Sequence, residues 1–397
     1  MSKQRDLRRQ LFLYTLVGAQ AAGFVIWASL LKNFIVEDLA LDGLQNAILE
    51  TVREVPGFLA FTTVFLLAYI SEQRLAVVST LVLGIGVAIT GYASTLSQLL
   101  MATFIMSLGF HYFQTIYKSL SLQWFDEATT PLVLGRAVSV NNGVTLLSLG
   151  VFMVLFWADV TTYSSAYLSA GLLAFFGALF ALFGFPKFRQ VETQALALIF
   201  RRAYWLYYVL TFLSGARRQI FIVFATYILV QIFGLSIEQM LLLLLVNAAI
   251  NMGTGLALGP AILRFGERAV LQVEYLGLIL VFLAYGALIG YAGQTWALVA
   301  VVLLYIIDHV LFQFAIAIET YFKKIADPAH IRGSAAVSFT INHVAAVTLP
   351  IALGLIYEMK VLDLGPTIVF WCGAGLALAS FISARLLPRL QTQKSPA

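Results

Sequence analysis

The chain has 397 residues, of which 61% are hydrophobic and 11% charged, and its formal net charge is +5. An average soluble domain carries about 25% charged residues, so this composition excludes a soluble globular protein and points to a polytopic membrane protein. The positive balance is no nucleic-acid signal, because the basic residues sit in short breaks between apolar runs. The single cysteine, Cys372, excludes an internal disulfide and a Cys-based metal site.

Lys3, Arg5, Arg8 and Arg9 precede an apolar run over 11–31. That run is too long for a signal peptide and lacks a small-x-small cleavage site, so it reads as an uncleaved first span. Eleven further spans follow at roughly 44–71, 75–95, 98–123, 135–157, 163–185, 204–232, 237–263, 269–292, 295–322, 334–357 and 365–387. With the N-terminus cytoplasmic, eighteen basic residues fall in inner segments and only Lys32 and Lys360 in outer loops. That bias places both termini in the cytoplasm of a cell whose plasma (inner) membrane holds the chain. Arg53, Lys118, Arg217 and Arg218 fall within spans.

The longest inner break, 186–202, divides the chain into an N-terminal six-helix bundle (1–185) and a C-terminal one (203–397) with a short cytoplasmic tail. The halves echo each other: Ala137-Val138-Ser139 opens the fifth span and Ala336-Val337-Ser338 the eleventh, about half the chain later. After the eighth span stands Gly259-Pro260-Ala261-Ile262-Leu263-Arg264-Phe265-Gly266-Glu267-Arg268, and after the second Tyr69-Ile70-Ser71-Glu72-Gln73-Arg74. The first of these resembles the Gly-acidic-Arg-Gly-basic loop signature of the major facilitator superfamily; the second has lost its glycines. Asp327-Pro328 through Arg332-Gly333 and Leu134-Gly135-Arg136 resemble the family's segments before the eleventh and fifth spans. The resemblance covers nearly the whole chain and identifies a divergent member with degenerate motifs. It implies an all-α membrane protein of twelve transmembrane helices in two pseudo-symmetric six-helix bundles, working by alternating access. The fourth span carries Thr103 or its neighbours where many proton-driven antiporters of the family carry an arginine, a departure from standard drug/proton exchange.

The seventh span is an almost unbroken apolar run with Arg217 and Arg218 at its middle. At about 1.5 Å per residue it crosses a hydrocarbon core of roughly 30 Å. One charge at that depth costs from about 2.5 kcal/mol upward, so the two must face protein, water or a ligand. Being sequence neighbours, they point about 100° apart. One guanidinium suits an anionic solute bidentately, while the other pairs with Asp308 and ties helices together.

Counting inward from the span ends brings His111, Asn247, Asn251, Asp308, His309, Asn342 and His343 to the same depth. The resemblance implies that the fourth, seventh, eighth, tenth and eleventh spans, which carry this layer, line a central cavity. The third, sixth and twelfth spans hold no ionisable group in their apolar centres; the ninth holds Glu274 near its inner end. His111, Asn247, Asn251, Asn342 and His343 are candidate solute ligands, with interhelical fastening as the plainer role for each. Asp308 and His309 are candidate proton carriers, with a structural ion pair as the alternative for Asp308. Glu50, Arg53 and Glu54 share a face before Pro56-Gly57 and form either a proton port or a charged outer patch. Lys118 lies about 10 Å inward of His111 by helical rise, at the depth of Glu319; the two form an inner gate, or Lys118 snorkels to the surface.

No phosphate loop ending in Gly-Lys-Ser/Thr, no His-Glu-x-x-His and no Ser/His/Asp set is present, so the sequence encodes no ATP-driven transport and gives no metal, cofactor or catalytic residue to expect. The expected partners are a small-molecule solute, protons and membrane lipid, not nucleic acid, and the expected state is a monomer. The sequence reading is a proton-coupled secondary transporter of a small anionic or zwitterionic organic solute. Its alternatives are efflux of amphiphiles and a non-transporting membrane receptor or assembly factor on the same fold.

Overall fold

A computed structural model of the chain describes residues 2–39, 41, 43–188, 197–235, 237–357 and 364–388. Among these residues the secondary structure is helical, without a β-strand. Eight described stretches are long and apolar enough to cross a membrane, one of which, Leu242–Tyr291, covers two of the predicted spans. The chain is an integral, multi-pass membrane protein.

The first six helices are α1 (Ser2–Glu37), α2 (Gly43–Phe58), α3 (Glu72–Thr90), α4 (Leu96–Trp124), α5 (Thr130–Trp157) and α6 (Tyr163–Gly184). Their starts are set by capping: the hydroxyls of Ser71, Thr95 and Thr162 accept from the backbone N–H three residues on. The second predicted span is not one rod. It ends as α-helix at Phe58, just after Pro56-Gly57, tightens to a 3-10 turn over Leu59–Thr62 and closes with Thr63–Leu66.

The remaining helices carry the irregularities that matter for the site. Helix α7 (Trp205–Gln219) passes into a π-helical turn, Ile220–Ala225, directly after the arginine pair, then resumes over Thr226–Gln231. The stretch Ile237–Leu288 is helical on both sides of Gly266, giving α8 (237–265) and α9 (267–288). Gly266 has φ 77° and ψ 158°, a conformation open essentially to glycine alone, so the second glycine of the loop motif is what turns the chain between these helices. Helix α10 (Thr295–Phe312) is interrupted by a 3-10 turn at Gln313–Ala315 before Ile316–Ile325. Helices α11 (Ile331–Tyr357) and α12 (Gly365–Arg385) complete the chain.

The chain forms two compact units. Unit 1 comprises Met1–Asp126, Ala137–Phe200 and Asp327–Thr340; unit 2 comprises Glu127–Arg136, Arg201–Ala326 and Ile341–Ala397. The opening of α5 belongs to unit 2 and the opening of α11 to unit 1. Within unit 1 a stripe of fully buried alanines, Ala166, Ala170, Ala174 and Ala178, recurs every fourth residue of α6 and lets α1 and α3 approach it closely. Within unit 2 Phe221, Phe282, Tyr285 and Phe370 form an aromatic cluster, with Tyr285 stacked on Phe370 at 4.5 Å.

The acidic residue of each loop motif is buried and salt-bridged. In unit 1 Glu72 accepts from Ser119, Gln123 and the Arg332 guanidinium, the last at 3.1 Å. In unit 2 Glu267 pairs with Lys324 at 2.9 Å. The first-half motif, though stripped of glycines, thus keeps the same arrangement as the second: a motif carboxylate tied to a base from the segment 324–332.

Candidate functional site

In unit 1 the polar groups line α4. His111 is 4% exposed, and its Nδ1 lies 2.9 Å from both the hydroxyl and the carbonyl of Ser107. The Ser107 hydroxyl donates to the Arg53 carbonyl. That hydroxyl has one hydrogen, already committed, so Nδ1 is the donor and the His111 proton sits there. The phenyl rings of Phe110 and Phe339 stand edge-on to the imidazole. The neighbours Arg53 and Glu54 form a half-buried pair, Nη2 to Oε1 at 2.8 Å. The side chain of Glu50, expected to share their face, lies outside the described residues. Lys118 is partly buried, and its Nζ donates to Ser338 Oγ at 2.7 Å.

Unit 2 holds the arginine pair, and the structure separates its members sharply. Arg217 is 2% exposed and bonded to Glu274 of α9, itself fully buried. The guanidinium lies over the rings of Tyr275 and Phe312, 5.6 and 5.5 Å from their centroids. The expected partner of the committed arginine, Asp308, is therefore replaced by Glu274, a residue the sequence places on a peripheral span. The reason is geometric. Arg217 projects from α7 toward α9, and a fully desolvated guanidinium takes the carboxylate that meets it head-on. Asp308 is 6% exposed and couples electrostatically to both Arg217 and Glu274. The adjacent His309 has its Nδ1 2.9 Å from the Tyr305 carbonyl and 3.6 Å from the Asp308 carboxylate, beyond hydrogen-bond range.

Arg218 points elsewhere, as the 100° offset requires. It is half-buried and donates to Asn342 Oδ1 of α11 at 3.1 Å, while Asn342 Nδ2 donates to the Thr211 carbonyl at 3.2 Å. Gly215 makes this possible: a Cβ there would stand 2.5 Å from the Asn342 carbonyl oxygen and 2.8 Å from its side-chain nitrogen. The next residue of α11, His343, is also buried. On α8 Asn251 Nδ2 donates to Asn247 Oδ1 at 3.0 Å, and the single hydroxyl hydrogen of Thr254 faces two acceptors, the Asn251 carbonyl at 3.2 Å and Gln313 Oε1 at 3.3 Å. Further inward, Glu319 accepts from the Tyr207 hydroxyl at 3.3 Å, beside the stacked rings of Tyr207 and Phe322.

Three residues that sequence reasoning did not place in the layer belong to it: Glu274, Thr254 and Gln313. Thr254 had a signal, since it follows Asn251 by three on the same helix face. Gln313 follows Asp308 by five and marks the break of α10. Glu274 had none beyond being a carboxylate in an apolar run. The layer also coincides with the two helix irregularities: the π turn begins three residues after Arg217, and the 3-10 turn begins directly after Phe312, which covers Arg217. Interrupted helices at a polar layer are characteristic of ion and solute sites in membrane proteins.

No protein-family model matches the chain, and no curated protein matches it by sequence. Solved structures match it over nearly its full length. FucP, a major facilitator superfamily transporter and the E. coli fucose:proton symporter, has TM-score 0.74 at 15% identity, covering 96% of this chain and 98% of that one. The human organic anion transporter MFSD10 (TETRAN) gives 0.73 at 15% over 96% and 99%, and the nucleoside transporter NupG 0.66 at 17% over 96% and 99%. The chain therefore has the all-α membrane fold seen in these major facilitator superfamily structures, a likeness carried by structure and not by sequence identity.

Proposed function

We propose that the chain is a proton-coupled secondary transporter of a small organic anion or zwitterion, acting by alternating access. The observation that carries this reading is the division of labour between the two arginines of α7. Arg217 is bonded to the fully buried Glu274, whereas Arg218, half-buried and donating to Asn342, is the guanidinium assigned to a solute carboxylate. Of the other residues considered in the sequence, His111, Asn247, Asn251, Asn342 and His343 are proposed as further solute ligands.

Proton coupling is assigned to the trio Arg217, Glu274 and Asp308. One guanidinium against two carboxylates leaves a net negative charge in an interior where net charge is expensive. The neutral form of the trio carries one proton, and Asp308, the more accessible carboxylate, is where it loads. His309, Tyr285 and Tyr305 also lie close enough to interact with it. Arg53 and Glu54, with Glu50, are proposed as an outer proton port, and Lys118 and Glu319 as inner gating residues. The likeness to a fucose:proton symporter and to an organic anion transporter supports both halves of the proposal at the level of fold.

Twelve crossings, bundles at 1–185 and 203–397 joined by 186–202, cytoplasmic termini, a plasma (inner) membrane location and a monomeric state complete the reading. The test is uptake of radiolabelled organic anions into proteoliposomes with an imposed pH gradient, beside a solute screen on melting temperature. Anion uptake that rises with the inward proton gradient and vanishes in Arg218→Ala is expected. Stabilisation by cationic amphiphiles alone would establish efflux instead, and no response to any solute would establish a non-transporting receptor.

A further inference from the structure

We propose that Asn247, Asn251, Thr254 and Gln313 of unit 2 form a hydrogen-bonding subsite for hydroxyl groups, so that the transported solute is a polyhydroxylated monocarboxylate. This rests on the reading that Arg218 receives the carboxylate. Asn251 is 5% exposed. Its Nδ2 is bonded to Asn247, but its Oδ1 has no hydrogen-bond partner. Exchanging the two ends of the amide would only orphan a donor in place of an acceptor. Buried polar atoms are almost always satisfied, and one that is not calls for a ligand or another explanation.

Fastening of helices does not explain it. Asn247 and Asn251 are both on α8, so the bond between them ties no helix to another. Among the described bonds of these four residues, that from Thr254 to Gln313 crosses to α10, and the Thr254 hydroxyl shares its hydrogen between Gln313 and the Asn251 carbonyl of its own helix. Asn247, Asn251 and Thr254 follow one another at spacings of four and three, a single stripe of uncharged donors and acceptors. A hydroxyl group both donates and accepts and so matches each amide edge. An ammonium group would need a carboxylate, and this stripe of amides and a hydroxyl holds none. A purely apolar chain would leave the Asn251 oxygen unsatisfied.

Titration calorimetry on the detergent-purified full chain tests this with gluconate, hexanoate and sorbitol as probes. Hexanoate keeps the charge and chain length without the hydroxyls; sorbitol keeps the hydroxyls without the charge. Gluconate is expected to bind at least about tenfold more tightly than either, since a site built to hydrogen-bond rejects analogues that leave it unpaired. Asn251→Leu is expected to weaken gluconate about tenfold with hexanoate unchanged, and Thr254→Val to do the same to a smaller degree. Asn251→Ser keeps a hydroxyl and serves should the leucine variant fail to fold; it should lose part of the gluconate preference. Equal binding of gluconate and hexanoate by the natural chain, with both lost in Arg218→Ala, would overturn the subsite and leave the anion reading standing. Binding of neither anion would overturn both. An unaltered gluconate-to-hexanoate ratio in the Asn251 variants would overturn the subsite alone.

Discussion

Replacing Glu274 by Leu leaves the Arg217 guanidinium buried without its carboxylate. The two side chains are 2% and 0% exposed, so water cannot take the place of the lost partner. Removing one member of a buried pair typically destabilises by about 3–5 kcal/mol, whereas replacing both by apolar groups of similar volume is near neutral. Asp308 lies near enough to interact with Arg217 and will recover part of the loss, which puts the expected effect toward the lower figure. The double variant Arg217→Met with Glu274→Leu should be close to the natural chain in stability, the rings of Tyr275 and Phe312 packing against Met instead of the guanidinium. Cys372, the only cysteine and only partly buried, makes the assay direct: a thiol-reactive fluorophore reports its exposure on heating detergent-purified protein. A single variant that melts with the natural chain, or a double variant as unstable as the single one, would refute the claim that this pair is desolvated and mutually dependent. The double variant also separates architecture from transport, since it should fold and yet lose proton-driven uptake.

Asp308→Asn should preserve anion binding in calorimetry while flattening the pH dependence of uptake in proteoliposomes; an unchanged pH profile would remove Asp308 from coupling. Gly215→Val should destabilise by about 1–3 kcal/mol, as overpacking of a close helix contact does, and should lower anion affinity by displacing Asn342 from Arg218; unfolding by the same fluorophore and calorimetry read the two effects. Gly266→Ala should cost about 1–3 kcal/mol because φ 77° with ψ 158° is strained for any residue with a Cβ, with no change in solute affinity. Glu72→Gln should weaken the hold on Arg332, Ser119 and Gln123 and lower the melting temperature, while the conservative Glu72→Asp should lower it less.

Much of the architecture was legible because lipid imposes it. Apolar runs of membrane length must become helices, since every backbone group has to be satisfied within the segment. The arginine pair could be recognised from its sequence position alone as needing partners within the protein, because a charge facing lipid at that depth is costly. The resemblance of 259–268 to a superfamily loop motif anticipated the fold, and the turn at Gly266 follows from that motif's second glycine. What the sequence could not decide was which arginine does what. Neighbouring residues on a helix diverge by about 100°, so one turn of α7 directs Arg217 into the bundle and Arg218 toward α11; the partner of each depends on helices tens of residues away. Glu274 illustrates the limit, because a carboxylate on a peripheral span carries no local mark of the guanidinium it will meet. The π turn of α7 and the 3-10 turn of α10 lie in runs of ordinary helix-forming residues, and only packing against neighbouring helices selects those local departures. The sequence by itself thus determined that charge is buried in membrane-crossing helices, whereas tertiary structure alone decided how it is paired, because pairing is a matter of helix rotation and contact that no periodicity encodes.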